Sequence, residues 1–86
     1  MAELRALFER VPEGWSEASY DGRRWGVTRT VRLGGRQQSI YAEELGGTDL
    51  VSANLYLSAD GDEAFRPCEM PAEKVRSFLE GMGPAG

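Results

Sequence analysis

Residues 23–33, RRWGVTRTVRL, alternate between apolar and polar side chains, and this stretch decides the fold class. In a strand the alternation places two sets on opposite faces: Trp25, Val27, Val31 and Leu33 on one, and Arg24, Thr28, Thr30 and Arg32 on the other. The dipeptide Asp21-Gly22 precedes the stretch, and both residue types tolerate the positive φ of a tight hairpin turn. Arg29 falls on the apolar face, and the pattern gives no reason for it. The stretch predicts a half-buried strand entered through a β-hairpin.

Further segments on both sides of this strand also have strand character. They cover residues 15–20, 37–45 and 49–57, and in the last of them apolar residues occupy the odd positions from 51 to 57. The pairs Gly34-Gly35 and Gly46-Gly47 mark short connections, which favour hairpins over parallel crossovers. Residues 64–66 could add one more strand. The sequence thus predicts an antiparallel meander of four strands, or five, across residues 15–66.

Two segments with helical periodicity flank the predicted sheet, at residues 2–11 and 71–82. Each has an apolar stripe with i, i+3, i+4, i+7 spacing: Leu4, Leu7, Phe8 and Val11 in the first, and Val75, Phe78, Leu79 and Met82 in the second. Residues 83–86 are expected to form a mobile tail. The prediction is a single α+β domain over residues 1–86, with the C-terminal helix packed on one sheet face and the short N-terminal helix beside it.

The composition excludes several classes of function. Cys68 is the only cysteine and the chain has no histidine, so an internal disulfide is impossible and the commonest general base and zinc ligand are missing. We therefore predict no metal site, no cofactor and no catalytic residue. No apolar run approaches the roughly 20 residues that cross a bilayer. The first residues lack the features of a secretory signal, so a cytoplasmic location without membrane association is expected.

The charges are unevenly distributed along the chain. Residues 21–36 contain five arginines and one aspartate, a net charge of +4, whereas the whole chain has a net charge of −4. This segment coincides with the strand quoted above, so the basic charge is expected at the sheet surface.

The sheet face opposite the predicted helix carries aromatic and basic side chains, and four of them form the candidate site: Arg24, Arg32, Tyr41 and Tyr56. Tyrosine rings can stack on bases while arginines bind phosphates, so one hypothesis is single-stranded nucleic-acid binding. Tyrosine and arginine are also enriched at protein interfaces, so a homodimer or another protein–protein contact is an alternative. The third interpretation is a solvated face, since threonine and tyrosine suit strands in general.

The stretch from Val11 to Leu79 contains the segments DGRRW at residues 21–25, YAEELGG at 41–47 and RPCEMP at 66–71. With these segments the stretch, which is most of the chain, resembles a small bacterial family of uncharacterised proteins, of which some members are labelled peptide methionine sulfoxide reductase. The resemblance implies thiol-dependent reduction of methionine sulfoxide at Cys68. The Gly-Cys-Phe-Trp run that forms the catalytic motif of that reductase does not occur in the chain.

A second set of features consists of Arg24-Trp25 at a strand start, Gly35-Arg36 at a turn and Tyr41-Ala42-Glu43, together with the order of four strands followed by a helix. In these features the chain resembles the purine-rich-element-binding repeat. Relatives of that repeat bind single-stranded DNA or RNA on a curved sheet. The resemblance therefore implies the same class of ligand as the candidate site above.

Overall fold

A computed structural model describes residues 3–84 and contains two helices on an antiparallel sheet. The elements follow the order α1 (Glu3–Glu9), β1 (Gly14–Tyr20), β2 (Arg23–Arg32), β3 (Gln37–Glu44), β4 (Leu50–Leu57), β5 (Glu63–Pro67), α2 (Ala72–Gly81) and β6 (Gly83–Pro84). The strands form a six-stranded sheet in the order β5-β4-β3-β2-β1-β6, and all neighbours are antiparallel. The α+β class is confirmed. No helix in the described range is long and apolar enough to cross a membrane.

The sheet has more strands than the four, or five, that were predicted. The optional fifth strand does form, and it spans Glu63–Pro67. The sixth, Gly83–Pro84, pairs with Ala18 and Ser19 of β1, where a mobile tail had been predicted. Two residues are too few to produce a period-two pattern, so the sequence had no signal for β6. Residue 2 of the predicted first helix and residues 85 and 86 of the predicted tail lie outside the described range.

The turns at the two ends of β2 differ in how well the sequence predicted them. Asp21 and Gly22 both have positive φ, at 55° and 74°, and they close the predicted two-residue hairpin between β1 and β2. At the other end, Leu33 leaves the sheet and enters a short 3-10 turn with φ 54°. Its side chain is 71% exposed, so the prediction that Leu33 belongs to the apolar face is wrong. Because β2 ends at Arg32, the alternation of strand residues does not apply to Leu33.

The core lies between the helices and one face of the sheet. Alternate residues of the central strands supply it, among them Val27 of β2, Ile40 of β3 and Leu55 of β4, all essentially buried. Aromatic rings fill the centre: the ring centroids of Trp25 and Phe78 are 5.0 Å apart. The predicted alternation of β2, β3 and β4 is therefore confirmed over their buried positions. The opposite face of the sheet is left without a covering layer among residues 3–84.

Arg29 points to the core side, and the structure explains why arginine occupies this position. Its guanidinium donates from Nη1 to the Val11 carbonyl at 2.9 Å, and from Nε and Nη2 to Oε1 of Gln38 at 3.1 and 2.9 Å. Gln38, which is only 2% exposed, donates in turn to the Gly35 carbonyl at 3.2 Å. Arg29 thus joins the end of the α1 segment to β3 and provides a partner for a buried amide.

A second arginine, Arg10, connects the N-terminal segment to α2 through hydrogen bonds. Arg10 donates from Nη1 to the carbonyls of Leu79 and Glu80 at 2.9 and 3.1 Å, and from Nη2 to the carbonyl of Met82 at 3.2 Å. The last carbonyls of a helix have no partner within the helix, and a cation there is also favoured by the helix dipole. Arg10 therefore caps the C-terminus of α2.

Candidate functional site

The uncovered face of the sheet, called the open face below, consists of alternate residues from five strands. Its side chains come from the odd positions of β1 and β3, the even positions of β2 and β4, and Ala64 and Arg66 of β5. Six large apolar or aromatic residues are exposed in the described range: Trp15, Leu33, Tyr41, Leu45, Leu50 and Tyr56. All except Leu33 lie on the open face or, in the case of Leu45, directly at the end of β3 beside it. This concentration makes the open face the candidate functional surface.

The structure places the four predicted residues, Arg24, Arg32, Tyr41 and Tyr56, on the open face but not in one cluster. Arg24 and Arg32 lie at opposite ends of β2, and eight residues of strand span roughly 27 Å. Tyr41 is 47% exposed and lies opposite Thr28 and Ser52 near the middle of the sheet. Tyr56 is 39% exposed and lies toward the Arg32 end. A single ligand that contacts all four must therefore extend along the sheet.

Arg24 is already engaged by a carboxylate. Its Nη2 and Nε donate to Oε2 of Glu17 on the neighbouring strand, at 2.6 and 3.2 Å. This hydrogen bond and the negative charge of Glu17 raise the pKa of Arg24 above its usual value. An incoming phosphate would have to compete with Glu17 for this guanidinium.

The surroundings of Arg32 differ from those of Arg24. Arg32 lies opposite Gln37, which lies opposite Tyr56, so the three form one row across β2, β3 and β4. Arg66 of β5 lies opposite Asn54 and is a diagonal neighbour of Tyr56 on the same face. Among residues 3–84 neither Arg32 nor Arg66 has a carboxylate within ion-pair distance. We call Arg32, Gln37, Tyr56 and Arg66 the basic cluster.

Arg66 was not predicted as a site residue because its strand was only an optional element. The signal that could have found it is the alternation within residues 63–67, where Phe65 turns toward Phe8 of the core and Arg66 turns away. The strand is short and its residues are mostly half-buried, so the pattern is weak.

A second group on the open face is mainly apolar. Trp15, which is 61% exposed, and Leu45 lie over Gly26: a β-carbon at position 26 would be 3.2 Å from the indole nitrogen and 3.3 Å from a Leu45 methyl carbon. Tyr41 and Leu50 continue the group across β3 and β4. We call Trp15, Leu45, Tyr41 and Leu50 the apolar patch. Trp15 was not predicted as a site residue, although alternation within β1 contains the signal. Trp15 is at an odd position and Ala18, which is buried, is at an even one, so the two side chains lie on opposite faces of the sheet.

Cys68 lies next to the open face, immediately after β5. Its backbone N–H donates to the Ser52 carbonyl at 3.0 Å, and its half-buried sulfur is 3.8 Å from the Asn54 side-chain amide, which donates to it. The neighbour of the thiol is thus an amide and not a general base. Among the described residues no group of three or more acidic or cysteine side chains could hold a metal ion. The reductase activity implied by the family resemblance stays a prediction.

No family model, no curated protein and no solved structure matches this chain. Both resemblances therefore stay predictions. What the fold and the surface define is a class: a small α+β protein in which two helices cover one face of an antiparallel sheet while aromatic and basic side chains are exposed on the other.

Proposed function

We propose that the chain is a non-catalytic binding module that holds single-stranded nucleic acid on its open face. The observation that supports this most strongly is the basic cluster, in which an exposed tyrosine ring lies between two arginines without carboxylate partners. Aromatic rings stack on bases with about 1–3 kcal/mol each, and guanidinium groups bind the adjacent phosphates. Tyr56 would stack, and Arg32 and Arg66 would bind phosphate.

Beyond Tyr56, the rest of the open face offers further contacts to the bound single-stranded nucleic acid. Tyr41 and Trp15 offer two more rings, separated only by Thr28 of β2, which corresponds to about 10 Å at the usual spacing of strands. Hydroxyl and amide side chains fill the surface between the rings and can donate to phosphates or bases. Arg24 contributes little in this proposal because Glu17 already neutralises it.

The charge balance sets the expected strength of binding. The net charge of −4 opposes association with a polyanion, while two free arginines favour it locally. Each phosphate neutralised on a single strand contributes roughly 0.7 to the slope of log affinity against log salt. We therefore expect weak binding that is measurable at low salt and lost near physiological salt. A cytoplasmic location, where RNA is available, is part of the proposal.

Fluorescence anisotropy with a labelled oligothymidylate and the corresponding oligouridylate tests the proposal. Tyr56→Ala is expected to weaken binding about fivefold or more, as loss of one stacking contact requires. Arg32→Gln is expected to weaken binding and to reduce the salt slope by roughly 0.7. Arg24→Gln is the matched control: it makes the same change on the same face and strand, but at an arginine already paired with Glu17, so a smaller effect is expected.

Two results would contradict nucleic-acid binding at this site. One is a flat titration with both oligonucleotides at low salt. The other is equal weakening by Arg32→Gln and Arg24→Gln, because the basic cluster would then have no special role. Circular dichroism of each variant confirms that the comparison is made between folded proteins.

The apolar patch favours a second candidate function, a protein interface that includes homodimerisation. Tryptophan and tyrosine are the residues that most often dominate binding energy at such interfaces, and Leu45 and Leu50 add exposed aliphatic surface beside them. In this case light scattering is expected to give twice the mass of the chain, and Leu50→Lys is expected to return it to the monomer. A strict monomer at high protein concentration would exclude the homodimer.

A further inference from the structure

One edge of the sheet is incompletely paired. β6 covers only Ala18 and Ser19 of β1, so positions 14–17 have no strand on that side among residues 3–84. The two-residue turn makes Tyr20 and Arg23 a hydrogen-bonded pair, so the even positions of β1 bond to β2 and the odd ones face the edge. Pro84, which has no N–H, lies opposite the even position 18, in agreement with this assignment. The N–H and C=O groups of Trp15 and Glu17 therefore point outward.

A cavity of about 430 Å³ opens beside this edge on the core side of the sheet. Its apolar lining comes from six residues: Val11, Pro12, Ala18, Val27, Met82 and Pro84. The charged residues Arg10 and Glu17 also line it. Ser16 of β1 also lines it. Residues that face each other across an antiparallel pair project to the same side of the sheet. A residue opposite Ser16 in an added strand would thus project toward the cavity.

We infer that the edge of β1 binds an extended peptide segment of a partner protein, which joins the sheet as an additional strand next to β6. In this mode main-chain hydrogen bonds provide affinity, and pockets for alternate side chains provide specificity. The backbone of Trp15 and Glu17 would form the hydrogen bonds, and the cavity would take one large aliphatic or aromatic side chain opposite Ser16. The peptide would also carry lysine or arginine near that residue, because Glu13 directly precedes β1 at this edge and the chain has a net charge of −4.

Other occupants fit this edge less well. A second copy pairing through its own free edge would place Gly14 or Ser16 opposite Ser16, and neither side chain fills the cavity. In the register that places Gly14 opposite Ser16, Glu13 of each copy would also lie opposite Glu17 of the other, which is unfavourable for like charges.

The test uses three fluorescein-labelled heptapeptides of sequence Lys-Thr-Ser-Xaa-Ser-Thr-Lys, in which Xaa is Phe, Leu or Gly. Anisotropy is expected to show binding of the Phe and Leu peptides and at least about tenfold weaker binding of the Gly peptide. Ser16→Phe places a ring in the cavity from β1 itself and is expected to weaken binding of the Phe peptide about tenfold or more. Ser39→Phe, which adds the same ring on the open face, is the matched control and is expected to leave binding unchanged.

Hydrogen exchange on the unmodified protein gives an independent measurement that does not depend on how well Ser16→Phe folds. The Phe peptide is expected to slow exchange at the amides of Trp15 and Glu17, which the free edge exposes. The inference is overturned if none of the three peptides binds, if the Gly and Phe peptides bind equally, or if these two amides keep their exchange rates while the peptide is bound. Folded Ser16→Phe is expected to retain oligonucleotide binding, so this inference and the proposed function can fail separately.

Discussion

Replacing Arg29 by methionine tests how much the Arg29 hydrogen bonds at the edge of the core contribute to the free energy of unfolding. Methionine preserves most of the length and the apolar stem, but it removes the donors that reach the Val11 carbonyl and Oε1 of Gln38. A buried acceptor left without its partner costs about 1–3 kcal/mol, and Gln38 is only 2% exposed. Arg29 itself is partly exposed, so we expect a smaller effect than that of two acceptors lost in a fully buried site. We expect a loss of about 2–4 kcal/mol in the free energy of unfolding.

That loss is large for a chain of 86 residues, whose total stability is expected to be about 4–13 kcal/mol. Urea unfolding followed by tryptophan fluorescence measures it directly. The control is the double variant with Gln38→Leu, which removes the orphaned amide as well. Because the two side chains share hydrogen bonds, the double variant is expected to lose about 1–2 kcal/mol less than the sum of the single variants. A change below about 0.5 kcal/mol for Arg29→Met, or strict additivity in the cycle, would refute the reasoning.

Three further predictions concern the helix α2 and its contacts. Arg10→Met removes the donors at the C-terminus of α2 and is expected to cost about 1–2 kcal/mol in urea unfolding, with faster amide exchange in the last turn of the helix. Gly81→Ala would usually stabilise a helix, but a β-carbon there would lie 2.9 Å from the ring of Tyr20, so we expect destabilisation by about 1 kcal/mol; a stabilised variant would contradict this contact. The hydrogen bond from Lys74 to Asp49, at 2.6 Å, lowers the pKa of Asp49, so its stabilisation exists above the unfolded pKa of about 4 and is lost as pH falls through the folded value. Asp49→Asn is expected to lower stability at neutral pH by no more than about 1 kcal/mol, and the difference from the parent protein should vanish in acid.

The class of the fold followed from the sequence because repeated patterns encode which face of an element is buried. In residues 23–32 and 50–57 the same period recurs several times, so one exception such as Arg29 does not hide it. The apolar stripe of α2 was predicted for the same reason, and Val75, Phe78 and Leu79 are indeed buried. Elements too short to repeat a pattern, such as β6, were not predicted.

The partners of individual polar side chains were not predictable, because they depend on strand register. Register places Arg29 opposite Ile40, which makes Gln38 its diagonal neighbour. It likewise places Gly26 opposite Glu17, so that Arg24 reaches Glu17 along a diagonal. Alternation predicts the face on which each residue lies, but it does not predict which residues become diagonal neighbours across two strands.

This limit explains the outcome at the candidate site. The open face of Arg24, Arg32, Tyr41 and Tyr56 was predicted correctly as a face, because each residue lies in a strand with clear alternation. Which arginines lack a carboxylate partner was not predictable, since that depends on cross-strand neighbours. Arg66 emerges as a neighbour of Tyr56 only once β5 is paired with β4.

Trp15 connects the two surfaces for which ligands are proposed. Its ring lies on the open face above Gly26, while its backbone N–H and C=O point to the free edge of β1. A peptide strand added at that edge would place alternate residues on the open face, and the one opposite Trp15 would contact the ring. A base stacked on the same ring would then meet the peptide as a neighbour. If both proposed ligands bind, their shared contact with Trp15 would couple them, and by linkage each would then change the affinity of the other by the same factor.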